Sequence, residues 1–225
     1  MNRLMKQTIF LVLFLFSLMV TGCTPKEKQM NPDVLQAFLA SAFSSELEDS
    51  SRNFFIRWEE PIRIQLKGAY TKADKEHLFD FLATLQEQVP SLPPLSVVET
   101  EGNVPLYFVS SLEMPLILPA YQQGSKGFFS YTYTNFLIHQ GVILIDSGLS
   151  SQQERNMVVE EEIINLLGLC NDLDAFPNSI LYTGTKKPHS ATRFDYEMLT
   201  LLYHPSLVPG MTKNEVIKIF VHEKK

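Results

Sequence analysis

The chain has 225 residues, 45% hydrophobic and 20% charged, a content that folds and that excludes wholesale disorder. Lys and Arg number 19 against 25 Asp and Glu, and the formal charge of -6 argues against a nucleic-acid partner held through phosphates. Two cysteines cannot build a disulfide-rich scaffold, no CxxC or Cys/His zinc pattern is present, and the length suits one ordinary domain with an appendage.

The chain opens with Arg3 and Lys6, then an apolar stretch over residues 9–20 interrupted only by Ser17. A basic segment followed by a short apolar core has the geometry of a signal peptide, and a free-standing membrane helix needs about 20 residues. The next residues, Val20-Thr21-Gly22-Cys23, resemble the lipobox of bacterial lipoproteins. That resemblance implies a signal peptide over residues 1–22 and a lipidated Cys23. Lipid on Cys23 would then hold the protein to a membrane, at the cell envelope. Removal of the leader takes Arg3 and Lys6 with it and leaves 17 basic against 25 acidic residues. In a Gram-negative host, Thr24 differs from the Asp that retains such lipoproteins at the inner membrane, so the resemblance implies the outer membrane, facing the periplasm. Residues 23–31, polar and with a proline, read as a tether.

A single α+β domain is expected over residues 32–225. Residues 32–43 carry Val34, Leu35, Phe38, Leu39 and Ala42 at helical spacing behind Asn31-Pro32. Ile62, Ile64 and Leu66 alternate with polar residues and read as a strand. Over residues 71–89 the apolar spacing predicts a helix, with Thr71 and Asp74 at capping-box distance. Strands are expected at residues 95–99, 104–109, 127–133 and 136–146, the last two joined by a turn at Thr134-Asn135. Residues 152–167 then read as a long helix ended by Gly168. A loop over residues 170–188 leads to helices at residues 192–203 and from Thr212 onward. Strands first and helices later, without regular alternation, predict a mixed sheet with C-terminal helices.

Residues 161–172 carry the one constellation with chemical content: Glu-Glu-Ile-Ile-Asn-Leu-Leu-Gly-Leu-Cys-Asn-Asp. Their spacing resembles the metzincin zinc-protease motif HExxHxxGxxH. Glu162 matches the general base and Gly168 the helix-ending glycine, while Glu161, Asn165 and Asn171 stand at the three histidine positions. Residues 161 and 165 are one helical turn apart on the same face. Two further stretches are similar to metzincins. Residues 179–182, Ser-Ile-Leu-Tyr, fall where matrix-type metzincins carry the Met-turn, and Asp195 followed by Leu202-Tyr203 matches their C-terminal helix. Arg57-Trp58 leading into residues 62–66 looks like their first strand. The pattern is also similar to an uncharacterised bacterial family of secreted and lipid-anchored proteins placed near the zincins. The resemblance implies a zincin-like α+β fold with a twisted mixed sheet and a long motif helix.

Zinc sites favour nitrogen and sulfur donors, whereas Glu161, Asn165 and Asn171 offer only oxygen. Without a strongly held metal, Glu162 has no activated water to deprotonate. No metal and no cofactor is therefore expected. The same residues also read more plainly, with residues 160–162 as the acidic start of a solvated helix and the asparagines as local caps. The histidines, His77, His139, His189, His204 and His222, include no pair at ligand spacing, and Asp146-Ser147-Gly148 lacks a nucleophile elbow. Phe128, Phe129, Tyr131, Tyr133 and Phe136 suit either a ligand groove or cross-strand packing. Cys170 reads as a small core residue. The expected role is binding or scaffolding at the envelope, through a former cleft and with a protein or peptide partner. The alternatives are a divergent metallopeptidase with Glu162 as base, and a purely structural lipoprotein.

Overall fold

A computed structural model describes residues 31–43 and 53–222. The leader, Cys23 and the tether up to residue 30 lie outside the described residues. No helix among the described residues is long and apolar enough to cross a membrane.

The architecture is α+β with a mixed, mostly parallel sheet. Helix α1 (Pro32–Ala42) precedes β1 (Arg57–Trp58), β2 (Ile62–Gly68), α2 (Lys72–Gln88), β3 (Leu95–Val97) and β4 (Val104–Val109). A short α3 (Met114–Ile117) leads to β5 (Gly127–Thr134) and β6 (Leu137–Asp146), followed by α4 (Gln152–Leu166), α5 (Arg193–Leu202) and α6 (Lys213–His222). Strand order is β1-β6-β4-β2-β3, with β5 on the other side of β6. Every pairing is parallel except β5 with β6, where Phe129 faces Ile143. Parallel strands are buried on both faces, and β6 accordingly reads Val-Ile-Leu-Ile over residues 142–145, with Ile143, Leu144 and Ile145 fully buried.

The expected elements lie within two residues of their predicted bounds, and the chemistry that limits them is visible. Thr71 and Asp74 form a reciprocal capping box at the start of α2, with Thr71 N donating to Asp74 Oδ2 at 2.7 Å. Two elements carry no periodicity to find them by: the two-residue β1, and the single turn α3. The hairpin turn falls one residue later than expected, at Asn135 and Phe136, whose φ angles are +53° and +67°. A two-residue hairpin turn of type I′ has positive φ at both central residues. Phe136 is held there by its ring against Phe54, centroids 4.8 Å apart, and by the absence of a side chain at Gly210.

Helices α2 and α4 are joined through a buried ion pair. Arg155 Nε and Nη2 donate to the two oxygens of Asp74 at 2.9 and 2.5 Å, Nη1 donates to the Ser147 carbonyl at 3.0 Å, and the guanidinium lies 4.9 Å above the Phe108 ring. Burial pushes the Asp74 carboxyl up, but Arg155, helped by Thr71 and Gln152, outweighs it and holds the group well below its ordinary 3.8. A folded-state value below the unfolded one contributes stability that is complete above the unfolded value and is lost as pH falls through the folded one. Asp74→Ala is expected to lower the unfolding free energy in urea at neutral pH by about 3–5 kcal/mol, because Arg155 is left buried without its partner. The variant should then lose less further stability than the wild type on acidification below about pH 4, since it lacks this titrating group.

Candidate functional site

Helix α4 is not a solvated acidic face. Glu160, Glu162 and Asn165 are 4%, 8% and 5% exposed, and Val158, Val159, Ile163, Ile164 and Leu166 are buried with them. The helix starts at the Ser151 cap and lies so close to the sheet that its side chains occupy the space above two strand glycines. A Cβ on Gly141 of β6 would collide with Leu166, and one on Gly127 of β5 with Glu162 and Val158.

Between α4 and the start of β5 lies a cavity of about 380 Å³. Residues 126–129 form its strand side, Met157, Glu161, Glu162 and Asn165 its helix side, and Asp172 and Lys187 come from the following loop. A space of this size suits a small molecule or a side chain. Lys187 Nζ donates to both oxygens of Glu161, at 2.7 and 2.8 Å. Asn165 Oδ1 is buried without a hydrogen-bond partner among the described residues. The structure thus brings Glu161, Glu162 and Asn165 together along one cavity. Asn171 does not line it: its amide donates to the Asp172 carbonyl at 2.9 Å, and the neighbouring Asp172 takes the place in the wall.

Glu160 points away from this cavity and serves structure. Its Oε2 accepts from the Ala191 amide at 2.6 Å and its Oε1 lies 3.0 Å from His77 Nε2 on α2. Burial, followed by the charges of Glu160 and Asp195, pushes the nearby Tyr196 hydroxyl up to about 12. His139 contacts Thr132 and Thr134, and His204 accepts from the Ser206 amide, so these histidines have local roles. Phe128 packs with Met114, Tyr121 and Leu144 in the core as well as lining the cavity. Cys170 is fully buried, its thiol 3.5 Å from the Asn165 carbonyl.

The end of α4 is clamped. Gly168 has φ +122°, and a Cβ there would lie 2.7 Å from the Ile56 carbonyl oxygen. Trp58 Nε1 donates to the Leu166 carbonyl at 2.9 Å and the Tyr203 hydroxyl to the Leu167 carbonyl at 2.8 Å, satisfying carbonyls that a helix end leaves unpaired. Asp195 accepts from Ser179 Oγ at 2.5 Å and from the Ile180 and Thr192 amides at 3.2 and 2.7 Å. Burial raises the Asp195 carboxyl despite these hydrogen bonds, and the group ties the 179–182 turn to the start of α5.

Zinc does not fit this donor set. Glu161 is engaged by an internal ammonium, Asn171 is turned to its own backbone, and among the described residues no three of His, Cys, Asp and Glu are grouped to hold a metal. Sequence reasoning missed Lys187. Its one signal was the Lys186-Lys187 pair in the loop after an acidic helix, since a partly buried carboxylate calls for a cation.

Over residues 31–222 the chain matches the family described as "Protein of unknown function (DUF2927)", and it belongs to that family. No curated protein matches it.

Gly168→Ala should cost about 1–3 kcal/mol, through the positive φ and the approach to Ile56. Tyr203→Phe should cost about as much by orphaning the Leu167 carbonyl. Both are read from urea midpoints against the wild type.

Proposed function

We propose that the protein is a lipid-anchored, extracytoplasmic binding protein whose domain is zincin-like but performs no peptide hydrolysis. One observation carries this reading: the Lys187 ammonium sits on both oxygens of Glu161, the residue at the first histidine position of the metzincin pattern. A cation is supplied there by the chain itself, and the remaining donors are oxygens poorly suited to zinc. The zincin-like reading draws further support from the positions that the resemblance matches outside the ligands. Gly168 turns the chain, Asp195 holds the 179–182 turn, and Tyr203 caps the motif helix. The antiparallel edge strand β5 beside the cavity offers a backbone edge to an extended peptide, with β6 as its only strand partner among the described residues. Glu162, in the cavity wall at the general-base position, is what the rival metallopeptidase reading draws on.

The two readings part in one assay. The purified protein, with and without added zinc, is expected to release no product from casein or a mixed peptide library above the blank. Zinc-dependent hydrolysis abolished by Glu162→Gln would establish the metallopeptidase instead. The anchor is tested separately. Cys23→Ser, expressed in a bacterial host, is expected to lose incorporation of an alkyne-labelled fatty acid and the detergent-requiring membrane association of the wild type. Unchanged labelling and association in the variant would exclude Cys23 as the lipid carrier.

A further inference from the structure

On the reading of the protein as lipid-anchored, we infer that the loop around α3 is a second membrane contact. Leu112 and Leu116 enter the lipid interface there and decide which end of the domain faces the bilayer, an orientation that a lipid on Cys23 alone does not impose.

Exposure is the first support. Leu112 and Leu116 are 80% and 82% exposed, and the next large apolar side chain among the described residues, Val208, reaches 58%. The two leucines stand four residues apart on one loop, and that loop is pinned from below. Met114, between them, is fully buried and packs with Tyr121, Phe128 and Leu144, while the Tyr121 hydroxyl donates to the Ser125 carbonyl at 2.8 Å. A loop already held by its buried side loses little further freedom when its outer side is bound.

Charge points to lipid as the occupant. Between Glu101 and Lys126 the only charged side chain is Glu113. Its carboxylate is folded back to the root of the loop, where it accepts from Ser110 N and Oγ at 3.0 and 2.6 Å. The tip therefore offers apolar side chains and no free charge, which suits the boundary between headgroups and acyl chains. The neighbouring strand end supplies residues for the headgroup level. Strand β2 ends beside β4, with Ala69 N donating to the Phe108 carbonyl at 2.7 Å, and just past it come Tyr70, 38% exposed, and Lys72, its side chain 88% exposed. Tyrosine and lysine settle at that level of a membrane.

Reach is the third support. Extended fully, the residues between Cys23 and Pro32 span at most about 30 Å. A domain of this length is roughly 40 Å across. A lipid on Cys23 thus keeps the domain within touching range of the bilayer, at an effective concentration that makes a weak contact sufficient.

The mature lipidated protein in phosphatidylcholine vesicles provides the test. Cys170 is fully buried and Cys23 would carry lipid, so an introduced surface cysteine takes a nitrobenzoxadiazole label alone. Leu112→Cys and Leu116→Cys are compared with Glu87→Cys, an exposed site at the end of α2 remote from β2. Labels at positions 112 and 116 are expected to shift to the blue and to lose most of their emission to nitroxides on the acyl chains. Both effects should persist at high salt, and the label at position 87 should show neither. Water-like, unquenched emission at 112 and 116, on protein that floats with the vesicles, overturns the contact and leaves the anchor standing. Protein that does not float overturns the anchor and the contact together. A blue shift without vesicles that grows with protein concentration, in the unlipidated Cys23→Ser background, assigns the loop to a second copy and overturns the membrane contact. Should the labelled variants fail to fold, the wild type decides. A photoreactive phosphatidylcholine is expected to crosslink within residues 110–121, and absence of crosslinks from that segment refutes the contact.

Discussion

A helix buried on nearly all sides cannot leave its charges unmatched, and the domain is organised around that demand. Helix α4 carries Arg155, Glu160 and Glu161 into or against the interior, and different parts of the chain answer them. Asp74 of α2 takes Arg155, His77 of α2 and the Ala191 amide meet Glu160, and Lys187 takes Glu161. Each match crosses between separate elements, so satisfying the helix also fixes α2, α4 and the loop before α5 relative to one another. Breaking one partner leaves a buried charge behind, which is costlier than the pair is worth in isolation.

The same helix creates the cavity. Gly127 and Gly141 let α4 approach the sheet closely, and the approach stops where Glu162 fills the place of a Gly127 side chain. Beside that contact, residues of β5, α4 and the following loop wall the cavity, with Lys187 among them. The positions shared with the metzincin pattern fall into two sets. Gly168, Asp195 and Tyr203 maintain the turn, the loop and the helix end, and their chemistry is intact. The histidine positions hold oxygen donors, one of them already joined to an ammonium.

Local signals made much of the fold legible. The Thr71/Asp74 box, the strand alternation from Ile62 to Leu66 and the glycine after α4 act over a few residues, and the elements they predict are present. The site was legible in part. The spacing of Glu161 and Asn165 put both on one wall, because a helical turn is a local fact. Asn171 left the wall because it follows the Gly168 turn, where loop hydrogen bonds and not helical period decide direction. The burial of Glu160 and Glu162 was hidden, since adjacent glutamates read as solvated until Gly127 and Ala191 are brought to them. Arg155 with Asp74 and Lys187 with Glu161 are separated by 81 and 26 residues, and only the assembled tertiary structure joins them.

At the heart of this cleft the Lys187 ammonium sits on the Glu161 carboxylate, the group a zinc ion would need. Metal content measures it most directly, by mass spectrometry on the full-length protein purified without chelator or nickel resin and then equilibrated with zinc. Far less than one zinc is expected to be retained per chain after desalting, with Lys187 still slow to react with amine reagents. Retention of close to one zinc per chain, accompanied by fast labelling of Lys187, would contradict it.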